Sequence, residues 1–309
     1  MRSREDLLDI TGRYANQQRA PAVAITKEIL HYEILYALLQ SEALAHLVFQ
    51  GGTSLRLCYQ GNRYSEDLDF AGGRDFDPAV MAPFGELLTR EIGEAYGLKV
   101  DIREPKVGAL DADSHVAVAR WAARVTVPNP DPSVRQSQLI KIEVASVPAY
   151  DVDLRPVSVN YPHLPAPFSQ MLLPVESMTE ILADKIVALG ARQYFKARDI
   201  WDIKFLLDKQ VAQGDALALV GQKLQDYGLS PEEFKGKLGE RIVQLQQPET
   251  GELFRKEMSR FVDASIALYL GRPEFAGKFL QRSVELAQYV ATADLAPPPA
   301  PPGSGIPRG

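Results

Sequence analysis

Residues 49–70 read FQGGTSLRLCYQGNRYSEDLDF. The apolar residues at 47–49 predict a short buried strand, broken by Gly51 and Gly52, after which TSLRLCY can turn as a helix. Glycine at such a turn lets the backbone approach a bound group that a side chain would hold away. Thr53 and Ser54 open the helix, whose unpaired N–H groups and positive dipole end favour a phosphate. Taken alone, a Gly-Gly turn before a helix can equally be plain punctuation. Thirteen positions after Ser54 comes Asp67, then Asp69. Residues 67–71 predict a second strand, bounded by Gly61 and Asn62 before it and by Gly72 and Gly73 after it. Side chains two apart on a strand share a face, so both carboxylates project together. Like charges so close call for a cation, and Mg²⁺, or Mn²⁺, suits such oxygen ligands. The alternative is a solvated edge strand.

Upstream, residues 1–25 carry mixed charge and read as a short helix plus an arm ending near Pro21. Ile29, Leu30, Ile34, Leu38 and Leu39 recur at helical steps and predict a helix over 26–40. Downstream, Pro78 suits a first helical position. Val80, Phe84, Leu87, Leu88 and Ile92 continue the helix until Gly97 can cap it. Strands follow at 99–103, 116–127 and 139–145, the last two joined by PNPDPSVRQS. In LIKIEVAS, Ile140, Ile142 and Val144 take one face and Lys141 and Glu143 the other, an arrangement that an ordinary pairing of Glu143 with Lys141 would explain. The pattern is a mixed α+β sheet to about residue 154, then a proline-punctuated connection. Helical periodicity holds over 177–294, and a Pro/Gly-rich tail at 295–309 is too poor in apolar side chains to order itself.

The helical region opens VESMTEILADKIVALGARQYFKARDIWDIKFLLD. Ser177 and Glu180 form a capping box. Lys185 and Arg192 are seven apart and share a helical stripe. From 185 to 198 there are four basic residues (Lys185, Arg192, Lys196, Arg198) and no acid. Such a run is usually a solvated face. Here Lys185 lies among apolar neighbours, where burial without an anion would be costly, so polyphosphate or RNA is the expected partner. Asp199 and Asp202 stand one helical turn apart and can face a common cleft, while a surface ion pair of Arg198 with Asp202 is the alternative. Trp121, Trp201, Cys58 and the histidines at 31, 46, 115 and 163 read as structural.

The combination of GGTSL with R, S and DLDF resembles the AbiEii/AbiGii branch of the polymerase-β-like nucleotidyltransferases, the toxins of abortive-infection and type IV toxin–antitoxin systems. Residues 48–71 carry the match, with Arg63, Ser65, Asp67 and Asp69 in place, and so do residues 181–206, with a Lys, an Arg and an RD..D sequence. The resemblance implies a nucleotidyltransferase domain at 26–175, behind an N-terminal arm at 1–25, and an all-helical domain at 176–294. It implies transfer of a nucleoside monophosphate from an NTP to an RNA acceptor, the tRNA 3′ end above all. Asp67, Asp69 and Glu143 would hold the metal, and Gly51, Gly52, Thr53, Ser54, Lys185 and Arg192 the nucleotide. Lys185 would touch the triphosphate, and Asp199 or Asp202 would be a further catalytic or positioning acid. A separately encoded antitoxin with a winged-helix DNA-binding region is the expected partner. Phosphorylation of Ser65, two residues before Asp67, would place about −1.5 to −2 charge beside the carboxylates and disable the site. A transferase acting on a small molecule such as an aminoglycoside, or a non-catalytic nucleotide-binding module, are the other readings.

Composition narrows the rest. Of 309 residues, 34 are Lys or Arg and 40 Asp or Glu, for a net charge of −6. That excludes a globally basic nucleic-acid binder but not a local basic patch. One cysteine excludes a disulfide framework. The absence of a membrane-length apolar run leads to the expectation of a cytoplasmic protein.

Overall fold

The computed structural model describes residues 3–41, 43–105, 116–127 and 137–296. The chain begins with α1 (Arg4–Gln18), capped by the Ser3 hydroxyl, which accepts a hydrogen bond from the Asp6 N–H at 3.1 Å. Next comes α2 (Ala22–Gln40), buried around most of its circumference rather than along one stripe. This helix is the axis of the core, and its buried charge is paired: Glu28 accepts from Arg56 at 3.0 Å and from the Asn160 amide at 2.6 Å.

Strand β1 (Val48–Gln50) runs directly into α3 (Gly51–Cys58), and β2 (Leu68–Ala71) returns beside it. After β2 the expected single helix over 78–97 is three short pieces: a 3₁₀ turn at Pro78–Met81, α4 (Phe84–Leu88) and a π-helical turn at Thr89–Glu94. Pro83 separates the first two, because it can donate no helical hydrogen bond. Gly97, with φ of +61°, ends the segment as expected. The strands β3 (Lys99–Arg103), β4 (Val118–Thr126) and β5 (Ser137–Ala145) follow, and most of the PNPDPSVRQS linker lies outside the described residues.

The proline-punctuated connection holds structure that periodicity missed. It contains β6 (Val152–Pro156) and β7 (Leu172–Glu176), an antiparallel pair at the far edge of the sheet. Five residues each, with proline inside, are too short and interrupted to show an alternation. The sheet is mixed, ordered β3-β4-β5-β2-β1-β7-β6. Helices α5 (Met178–Ala191), α6 (Ala197–Asp208), α7 (Gln213–Asp226), α8 (Pro231–Leu245), α9 (Pro248–Met258), α10 (Ala264–Leu270) and α11 (Pro273–Thr292) complete the chain. Trp201 stacks on Phe279 with ring centroids 4.5 Å apart, and Trp121 is buried, both in core roles. Residues 297–309 of the expected tail lie outside the described residues.

One register relation positions everything that follows. Gln50 is opposite Asp69, Asp69 is beside Glu143, and Glu143 is opposite Arg120. Four neighbouring strands therefore present a single polar row. The alternate residues Phe70, Ile142, Val144 and Trp121 point into the core on the other face.

Candidate active site

The glycine turn is shaped by its own protein neighbours. Gly51 has φ of +77°, a left-handed conformation that side-chain-bearing residues rarely adopt, and a Cβ there would stand 2.9 Å from Asp69 Oδ2. At Gly52 a Cβ would lie 2.1 Å from Arg63 Nη2. The two glycines thus make room for two side chains, one acidic and one basic. Thr53 and Ser54 are fully buried. The Thr53 hydroxyl donates to the Asp67 carbonyl and the Ser54 hydroxyl to the Gly51 carbonyl at 2.8 Å, so both side chains staple the turn. Of the expected phosphate-gripping residues in this turn, Gly51 alone lines the cleft, together with Gln50.

Asp69 and Glu143 are brought together by the β2–β5 register. The Asp69 carboxyl is pushed up to about 6: burial is the chief cause, followed by repulsion from Glu143 and from Asp67. Glu143 accepts from Arg120 at 3.2 Å. Asp67 precedes the strand, and its Oδ1 accepts from the Lys141 backbone N–H at 3.3 Å. It is close enough to act on Asp69, but it does not line the cleft. Among the described residues no three His, Cys, Asp or Glu side chains converge on a ready metal position. Two adjacent carboxylates, one resisting ionisation for want of counter-charge, nevertheless fit Mg²⁺, which commonly takes one or two protein carboxylates and completes its shell with water and phosphate.

The opposite wall comes from the helical region, through a buried ionic chain. Lys185 Nζ reaches Asp199 at 2.7 Å and Asp202 at 2.8 Å. Asp202 takes two hydrogen bonds from Arg63, both at 2.6 Å, and Asp199 also takes one from Arg192. Burial alone would raise both carboxyls; the cations override it and hold both below the usual range. Burial would likewise lower Lys185, but Asp199 and Asp202 raise it instead. Asp202 is thereby a buried partner of Arg63 and Lys185 rather than of Arg198, which instead reaches Glu66 at 3.4 Å. Below this chain, buried Lys223 touches Glu176, Glu180 and Asp184 at 3.3, 2.8 and 2.7 Å.

These walls enclose a cleft of about 430 Å³. Asp69, Glu143, Lys185, Arg192 and Asp199 line it, joined by Lys196 at the start of α6. Gly52, Thr53, Ser54, Asp67 and Asp202 do not line it, and Ser65 is only 8% exposed, so a modifying enzyme could not reach its hydroxyl without opening the segment. Sequence reading passed over Arg120, Asp184 and Tyr227 and gave Lys141 only as a partner for Glu143; all four also line the cleft. The strand alternation held a signal for the first: Arg120 shares a face with Arg124, across the hairpin from Glu143. Asp184 and Tyr227 gave none, because their facing depends on how α5 and α7 pack.

Known proteins share the fold. Over 93% of both chains, the fold matches that of MenT4, a nucleotidyltransferase toxin from Mycobacterium tuberculosis, with a TM-score of 0.59 at 19% identity. JHP933 from Helicobacter pylori aligns over 88% of this chain and 93% of its own, with a TM-score of 0.45 at 19% identity. No curated protein matches the sequence. The family model described as the nucleotidyl transferase AbiEii toxin of type IV toxin–antitoxin systems matches residues 33–275. With most of its length matched, the chain belongs to the AbiEii family and is a nucleotidyltransferase toxin.

Proposed function

We propose that this protein transfers a nucleoside monophosphate from an NTP to the 3′ end of an RNA, with tRNA as the acceptor, so that aminoacylation and translation stop. The observation that carries the reading is the meeting of Asp69 and Glu143 from the sheet with Lys185 and Arg192 from the helices in one cleft. Carboxylates on one wall and cations on the other are what a metal-bound triphosphate needs. Arg192, with a side chain 34% exposed, and Lys196 would take the β- and γ-phosphates. Lys185, already bonded to two carboxylates, keeps one N–H for phosphate and fixes the position of Asp199. The Gly51 turn keeps backbone close to the carboxylate end of the cleft. Asp69 and Glu143 would hold Mg²⁺, with Asp67 beside them. The ion, when bound, would supply charge neutralisation on the triphosphate and activation of the acceptor hydroxyl.

In the reaction the acceptor oxygen bonds to the α-phosphorus, the bond from that phosphorus to the β-bridging oxygen breaks, pyrophosphate leaves, and the hydroxyl proton passes to solvent. Chiefly positioning and charge are asked of the protein. Family membership supplies an antitoxin partner; that it carries a winged-helix DNA-binding region is part of this proposal. Incubation with α-labelled NTPs and total tRNA tests the reading, with Asp67→Ala and Asp69→Ala as controls. Label should enter RNA with the wild type alone. Label persisting in Asp69→Ala, or transferred only to a small-molecule acceptor, would overturn it, and binding of MgNTP without transfer to any acceptor would support a non-catalytic module.

A further inference from the structure

The polar row of the sheet does not stop at the cleft. Strands β3, β4 and β5 continue the same face outward, and a hollow of about 460 Å³ lies on it, lined in part by Arg103, Arg120, Arg124 and Lys141. Arg120, Lys141 and Val118 line both the hollow and the cleft, so the two are continuous. Strand pairing sets Asp101 opposite Arg124, and Ala122 between Arg103 and Lys141. Of the carboxylates along the row, Asp101 is 3.2 Å from Lys99 and Glu143 is 3.2 Å from Arg120, while Glu104 lines the hollow next to Arg103 in the chain. Among the described residues, Arg103, Arg124 and Lys141 make no ion pair, and all three are exposed. A chain of net charge −6 has thus collected unneutralised cations on one open sheet face, ending at Asp69 and Glu143.

We infer that this face is the track along which the sugar–phosphate backbone of the acceptor RNA lies, delivering its 3′ end to the cleft. The inference rests on the nucleotidyl-transfer reading above and adds the surface that holds the acceptor. An extended row of point charges with aliphatic stems between them suits a continuous polyanion better than a small molecule. Ala122 and Leu139, on the same face, keep it low enough for a backbone to pass. The contacts are to phosphates, so the track carries no base preference.

The test is fluorescence anisotropy of labelled bulk tRNA, without NTP, over a salt series. The variants are R103E/R124E, the charge-keeping R103K/R124K, and R272E/K278E at a separate hollow on α11 as a control for bulk charge. Removing two phosphate contacts should weaken binding about tenfold or more and flatten the log–log salt slope by about 1.4 to 1.8. R103K/R124K should stay within about threefold of the wild type, because lysine remains a phosphate ligand, and the control should bind as the wild type does. MgNTP binding should be unchanged in all three. If the wild type binds RNA and R103E/R124E weakens it no more than the control does, the track is refuted while the RNA-acceptor reading stands. A wild type that binds no RNA would remove that reading, and the track with it.

Discussion

Replacing Gly52 with alanine separates two explanations of the glycine motif. In the first turn of α3 the substitution should gain up to about 1 kcal/mol of helix propensity. Against this, the new Cβ would stand 2.1 Å from Arg63 Nη2, 3.1 Å from Cζ and 3.3 Å from Nη1. The guanidinium cannot simply swing aside. It is 4% exposed, bonded twice to Asp202 at 2.6 Å, and donates from Nη1 to the Tyr64 carbonyl at 2.9 Å. Overpacking costs about 1–3 kcal/mol, and parting a buried ion pair about 3–5 kcal/mol. The net loss should be about 2–4 kcal/mol, and at about 2–4 °C per kcal/mol for a large domain the melting temperature should fall about 4–16 °C. A double-mutant cycle with Arg63→Met identifies the cause. In that shortened background Gly52→Ala should cost nearly nothing, giving a coupling of about 2–4 kcal/mol. Wild-type stability in Gly52→Ala combined with lost MgNTP affinity would refute this reasoning and return the glycine to a ligand role. An undiminished cost beside Arg63→Met would refute the Arg63 contact as its reason.

Gly51→Ala should strain a left-handed residue and press on Asp69, losing about 1 kcal/mol of stability; transfer activity should fall far more than the melting temperature, as labelled-NTP assays beside thermal melts would show. Asp202→Ala leaves Arg63 without its carboxylate and Lys185 with one of two inside the protein and should destabilise by about 3–5 kcal/mol in chemical denaturation, whereas wild-type stability would show that the ionic chain is not structural. Glu176 gives a pH signature. Burial, with Asp184 next in effect, raises its carboxyl well above the ordinary value, so the native state binds a proton that the unfolded state has released. That stabilisation is complete below the unfolded pKa of about 4.3 and is lost as pH rises through the folded value. Glu176→Gln should therefore match the wild type in melting near pH 4 and exceed it increasingly toward alkaline pH; parallel melting curves across that range would contradict the assignment.

Local chemistry was legible in the sequence wherever it repeated or clustered. Alternation around Glu143 and the glycines flanking 67–71 placed β5 and β2, and the boundaries differ from observation by only a residue or two. The pairing of the acids at 67 and 69 with Lys185 of α5 also led to one cleft, which Asp69 and Lys185 do share, although Asp67 precedes β2 and does not line it. Spacing could not say what each buried group touches. A lysine among apolar neighbours signalled an anionic partner, yet two of its partners are Asp199 and Asp202 of the same chain. Thr53 and Ser54 looked like phosphate ligands because helix starts bind anions, while their hydroxyls go to nearby carbonyls. The β6–β7 pair escaped because its stability comes from the sheet edge it completes rather than from its own pattern.

One triphosphate should lie between the sheet carboxylates and the helical cations. A structure of the wild-type chain with Mg²⁺ and a nonhydrolysable NTP is the decisive test. The phosphate chain should span from Asp69 and Glu143 to Lys185 and Arg192. A nucleotide bound elsewhere on the molecule, or one that touches the helices but not Asp69, would contradict it.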